Sequence, residues 1–107
     1  MEVSRETVER LFKFSSDRKW EVFHTPENLA KAISIESAEL LELFQWDAEY
    51  EKADLEDELA DVLSYCLLLA RRAEIDPNEA IAKKIALNEV RYPRSKSTGS
   101  SLKHDRL

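Results

Sequence analysis

Apolar side chains recur at intervals of three and four through most of this chain, the repeat of helices rather than the alternation of strands. Four stretches carry that repeat. The first runs from about Ser4 to Lys19, with Ser4 placed to cap it and Val8, Leu11, Phe12 and Phe14 as its apolar contacts. A short linker holding Trp20, Phe23 and His24 follows. Thr25-Pro26-Glu27 then reads as a helix start. It offers a capping hydroxyl, a proline whose missing N–H is harmless in the first turn, and an acid at the positive end of the helix dipole. This second helix reaches about Phe44 or Gln45, and Trp46 to Lys52 makes a polar connection. The third starts near Ala53 or Asp54 and reaches about Ala73. Asp76-Pro77 repeats the cap-and-proline signal for a fourth, which ends near Tyr92, before Pro93. From Arg94 the chain turns Ser/Lys/Gly-rich, so residues 1–93 are expected to form the domain and 94–107 a flexible tail.

Composition strengthens the all-α reading. Among 107 residues there is one Gly and three Pro, while Glu, Lys, Leu, Ala and Arg dominate. A chain of this size supports one small domain with a thin core, for which oligomerisation is a plausible supplement. The run Val62 to Ala70 is apolar almost all round its helix, which predicts burial on every side and hence a subunit interface. The run is too short to span a bilayer, no signal peptide is evident, and the expected location is cytoplasmic, with no membrane partner.

Charge and cysteine content exclude further classes. A formal net charge of −6 makes non-specific nucleic-acid binding unfavourable. A phosphorylated ligand would need metal ions and a few placed basic residues. The single cysteine, Cys66, excludes an intramolecular disulfide and a cysteine-rich zinc site, and its apolar surroundings predict a small core residue.

The candidate chemistry lies in two acidic pairs, Glu36/Glu39 and Glu58/Asp61, each spaced i,i+3 and separated by 18 residues. Most such pairs are solvated surface charges. On a wheel of roughly 100° per residue, however, Leu29, Ala32, Ile33, Leu40 and Leu43 all fall within about 60° of Glu36. Glu36 thus points along the apolar stripe, and Glu39 sits at its edge. On the third helix Glu58 borders the stripe of Leu55, Leu59, Val62, Leu63 and Cys66, with Asp61 further round and Tyr65 between them. A charge aimed at a core is costly unless paired or bound to metal. Lys84, Asn88 and Arg91 share one face of the fourth helix, but a lysine and an arginine cannot neutralise four acids. Carboxylates, a hard cation such as Mg²⁺ and a Lys/Asn/Arg face are the parts required for phosphoryl or pyrophosphoryl transfer. Trp20, His24, Trp46 and Tyr92 lie near helix ends, where they could stack on a base or hydrogen-bond to it, although two tryptophans in a small domain are more often core residues and His24 serves equally as a structural or capping residue.

Taken in order, Trp20-Glu21-x-Phe23-His24-x-Pro26-x-Asn28-Leu29, Glu36-x-x-Glu39, Phe44-Gln45-Trp46, Glu58-Leu59-x-Asp61-Val62-Leu63-x-Tyr65 and Lys84-x-x-x-Asn88-x-x-Arg91-Tyr92-Pro93 resemble the MazG-like branch of the all-α nucleoside triphosphate pyrophosphohydrolases, especially its small dCTP pyrophosphatases. The resemblance covers about residues 5 to 95. It implies a four-helix MazG-like bundle completed by dimerisation or tetramerisation, and Mg²⁺-dependent hydrolysis of dCTP or a related dNTP to the monophosphate and pyrophosphate, a nucleotide-pool house-cleaning activity. Mn²⁺ could substitute for Mg²⁺. Carried over by position, Glu36, Glu39, Glu58 and Asp61 would ligate metal, and Glu36 or Glu39 would also position the attacking water. Trp20, His24, Trp46 and Tyr65 would line the base and sugar pocket. Lys84, Asn88, Arg91 and Tyr92 would contact phosphate or sugar. Two other readings are a phosphoribosyl-ATP pyrophosphohydrolase-like enzyme, ranked lower because of the tryptophan blocks, and a non-catalytic helical interaction module, which leaves Glu36 unexplained.

Overall fold

Three of the four long helices begin at a side chain that accepts from an N–H of the first turn; the third in chain order starts after Glu51 without such a cap. In the computed structural model, which describes residues 1–99 and 101, α1 spans Arg5–Asp17 and the Ser4 hydroxyl accepts from the Thr7 N–H at 3.1 Å. Helix α2, Pro26–Glu42, is capped by Thr25, whose Oγ1 accepts from the Asn28 N–H at 3.1 Å. Helix α3 covers Lys52–Arg72. Helix α4, Pro77–Arg91, starts at Asp76, whose Oδ1 accepts from the N–H groups of Asn78 and Glu79. Both prolines stand in the first turn, as the sequence predicts. There is no strand among the described residues.

Three local features depart from expectation. The linker after α1 winds into a 3₁₀ turn, Trp20–Phe23, entered through Lys19 at φ 54°. The Asn28 side chain fixes this turn to α2 by donating from Nδ2 to the Phe23 carbonyl at 3.0 Å. Helix α2 gives up its regular bonding at Glu42, because the N–H groups of Leu43, Phe44 and Gln45 reach back to Leu40, Leu41 and Glu42 in the tighter i,i+3 pattern. Within the expected tail, Arg94–Ser97 forms a short helix, α5, and residues 100 and 102–107 lie outside the described residues.

The chain divides into two units, Met1–Ile75 with α1 to α3 and Asp76–Leu107 with α4 and α5. In the first, α2 packs mainly on α3, while α1 meets the 3₁₀ turn and α3. Its interior is narrow: Leu29 of α2 is 1 % exposed, Leu68 of α3 is 5 % exposed and Ser15 of α1 is 2 % exposed. Cys66 is not the core residue its neighbours suggest. It is exposed, with Leu59 and Leu63 of the same helix, because α3 is apolar over more of its circumference than α1 and α2 cover. In the second unit, Ile81, Ile85, Leu87 and Val90 of α4 are also exposed. No helix among the described residues is long and apolar enough to cross a membrane.

Candidate metal centre and adjoining cavity

The packing of α2 on α3 brings the two acidic pairs together. One carboxylate oxygen from each of Glu36, Glu39, Glu58 and Asp61 lies within 4.8 Å of the others. Glu39 and Asp61 are exposed at the rim, whereas Glu36 and Glu58 are partly buried. The helical-wheel argument therefore holds for the inner acid of each pair. Oε2 of Glu36 and Oε2 of Glu58 are buried with no hydrogen-bond partner, a state that native proteins rarely tolerate.

This crowding shifts protonation. The Glu36 carboxyl is raised from its ordinary 4.5 to about 7, first by a hydrogen bond shared with Glu39, then by burial, then by repulsion from Glu39, Asp61 and Glu58. Glu58 is raised too, by desolvation first and then by the charges of Glu39, Asp57, Asp61 and Glu42. The ion pairs of the first unit (Arg5–Glu9, Lys13–Asp17, Lys31–Glu27 and Arg71–Glu21) involve none of the four acids. Hard oxygen donors from two helices, two of them orphaned, fit a divalent cation such as Mg²⁺.

A cavity of about 290 Å³ adjoins the cluster and shares Asp61 with it. Its walls come from Leu11, Phe14 and Ser15 of α1, from Trp20 and His24, and from Ser64, Tyr65 and Leu68 of α3. The Trp20 ring meets Phe14 edge-on, with centroids 5.5 Å apart and planes at 78°. Phe14 is backed by the Arg18 guanidinium, 3.7 Å from its ring centroid. Nδ1 of His24 is buried and has no hydrogen-bond partner. Aromatic walls with a few unsatisfied polar groups suit a planar, heteroatom-rich ligand.

Three expected pocket residues, Trp20, His24 and Tyr65, thus meet in one cavity beside the acids. The fourth, Trp46, stands outside it on the α2–α3 connection and is 90 % exposed. In the second unit Lys84, Asn88 and Arg91 are exposed on α4, and Tyr92 forms its C-cap. Sequence reasoning passed over Phe14, Ser15 and Ser64. Phe14 looks like an ordinary apolar contact, and Ser15 sits beside Ser16 in a polar stretch. The signal for Ser64 was its place inside the apolar run of α3.

Residues 31–107 match the MazG-like family. Over 99 % of its length the chain is 42 % identical to dCTP pyrophosphatase 1 of Rattus norvegicus and covers 69 % of that protein. The same alignment with dCTP pyrophosphatase 1 of Homo sapiens gives 38 % identity over 99 % of this chain and 69 % of the relative. The crystal structure of a pyrophosphatase from Archaeoglobus fulgidus superimposes with a TM-score of 0.78 at 42 % identity, over 87 % of this chain and 98 % of that one. Sequence and fold agree, and the chain belongs to the MazG-like family.

Proposed function

We propose that this protein is a Mg²⁺-dependent nucleoside triphosphate pyrophosphohydrolase that cleaves dCTP or a related dNTP between the α- and β-phosphates. The observation that carries this reading is the acidic cluster, with four carboxylate oxygens within 4.8 Å, sharing Asp61 with an aromatic cavity. The dCTP pyrophosphatases among its relatives support the same reaction class.

Glu36, Glu39, Glu58 and Asp61 are assigned to the metal. A divalent cation held there would supply neutralisation of phosphate charge and acidification of water. The remaining chemistry falls to the chain. Glu36 or Glu39 orients the attacking water and takes its proton. The water oxygen bonds to the α-phosphorus, the bond from that phosphorus to the bridging oxygen breaks, and pyrophosphate leaves with the electron pair. Trp20, His24 and Tyr65 hold the base beside the cluster, and their apolar neighbours exclude water from it. Trp46, Lys84, Asn88, Arg91 and Tyr92 are assigned to base, sugar and phosphate on the family resemblance.

A dimer or tetramer of this chain is part of the proposal, supported by the exposed apolar residues of α3 and α4. A non-catalytic helical module would account for such faces, but not for two orphaned carboxylate oxygens.

Incubation with each dNTP and Mg²⁺, with both products identified, tests the reaction. Nucleoside monophosphate and pyrophosphate are expected in equal amounts. Orthophosphate alone, or no product from any nucleotide, would overturn the assignment.

A further inference from the structure

Two serines line the aromatic cavity, and the reaction proposed above uses neither. Leu11, Phe14 and Ser15 share one face of α1; Asp61, Ser64, Tyr65 and Leu68 share one face of α3. Ser15 is 2 % exposed, the one polar residue fully buried among the described residues. Ser64 is partly buried, and it interrupts the apolar run Val62 to Ala70. Neither hydroxyl takes part in the side-chain hydrogen bonds formed among the described residues. An alanine at either place would sit among the same apolar neighbours without leaving a polar group unsatisfied. Nδ1 of His24, buried and also without a partner, lines the same cavity. With Asp61 and Tyr65 already given roles beside the acids, Ser15, Ser64 and His24 add a set of hydrogen-bonding positions on the cavity wall that suit a ligand with a polar edge.

The geometry points to Ser15 and Ser64 as specificity residues whose hydroxyls read the polar edge of the nucleobase. This inference rests on the nucleotide reading of the site. A hydroxyl donates and accepts, so it can meet either the amino or the carbonyl positions of a base. Trp20 and Phe14 accept any ring face, so stacking alone ranks bases poorly, and discrimination must come from groups that address the edge. The cavity, about 290 Å³, is at the small end of ligand pockets, which places a single-ring pyrimidine ahead of a purine.

The test compares kcat and KM over the four dNTPs for the wild type, Ser15→Ala, Ser64→Ala, the double variant and Ser64→Thr. Each alanine is expected to lower kcat/KM for the best base about two- to tenfold, the worth of one neutral hydrogen bond, mainly through KM. The poorest base should lose less, so the ranking narrows. Ser64→Thr, which keeps a hydroxyl, should keep the ranking. Calorimetric titration with deoxynucleoside monophosphates in the absence of Mg²⁺ should show the same loss, and melting temperatures should confirm that the alanine variants fold. A double variant that retains the wild-type ranking overturns the inference. A wild-type protein that releases pyrophosphate from no triphosphate defeats the nucleotide reading itself, so the two failures are distinguishable.

Discussion

Glu36 of α2 and Glu58 of α3 bring carboxylate oxygens within 4.8 Å of each other, and each keeps an Oε2 buried with no hydrogen-bond partner. Two like charges from different helices oppose the packing that brings them together, and α2 on α3 is the main packing of the first unit. The fold therefore tolerates an arrangement that a cation would relieve.

Adding Mg²⁺ should then stabilise the protein. At a free concentration a hundredfold above Kd, binding to the native state alone contributes about 2.7 kcal/mol, on the order of 10 °C in melting temperature for a domain of this size. Calorimetric melting with Mg²⁺ and with EDTA measures the difference. An unchanged melting point over millimolar Mg²⁺ would argue against a metal at the cluster.

Substituting Glu36 by Gln separates function from folding. The amide removes the charge repelled by Glu39, Asp61 and Glu58, so the metal-free variant should be at least as stable as the wild type above pH 7. Turnover should fall by about 10²- to 10⁴-fold, the usual worth of a positioned base, with the state of association, whatever it is, unchanged. Parallel assays of pyrophosphate release, melting and sedimentation would show it. A variant that keeps its activity would remove Glu36 from the chemistry.

The same two residues set a pH dependence. The Glu36 carboxyl has a folded-state pKa of about 7 against an ordinary 4.5, so the native state binds its proton more tightly than the unfolded chain does. Its contribution to stability is complete below pH 4.5 and is lost as pH rises through 7. Glu58 acts in the same direction. In EDTA, the urea midpoint of the wild type should fall between pH 5 and 8, and Glu36→Gln should flatten that slope. Mg²⁺ binding should release protons near pH 6.5, which calorimetry in buffers of different ionisation enthalpy detects.

The helices were legible in the sequence because their punctuation is strong. Ser4, Thr25-Pro26 and Asp76-Pro77 start helices where they were expected to. The placement of Glu36 was legible for a related reason, since a charge in line with Leu29 and Leu40 must face inward. The 3₁₀ turn at Trp20 was not, because it depends on Lys19 entering a left-handed conformation and on the Asn28 side chain, neither of which leaves a periodic trace. Cys66 misled because an apolar neighbourhood in sequence does not reveal how much of a helix its neighbours cover. The cavity needed residues of α1 and α3 that are some fifty positions apart, and no local pattern joins Ser15 to Ser64.

Trp20 tests whether the cavity takes the base. Its ring lines the cavity and is braced edge-on by Phe14 at 5.5 Å, so it offers a rigid stacking surface beside Asp61. Loss of one base–aromatic stack is worth about 1–3 kcal/mol, roughly 5- to 150-fold in affinity. Trp20→Ala should raise KM for the best dNTP within that range and leave kcat within a fewfold, because stacking is made equally in the ground and transition states. Trp20→Phe keeps an aromatic face and should recover most of the affinity. Because Trp20 also packs against Phe14, melting curves for both variants are needed to separate lost stacking from local loosening. If KM is unmoved in a folded Trp20→Ala protein, the base binds elsewhere, and the cavity beside the acids is a packing defect rather than a recognition site.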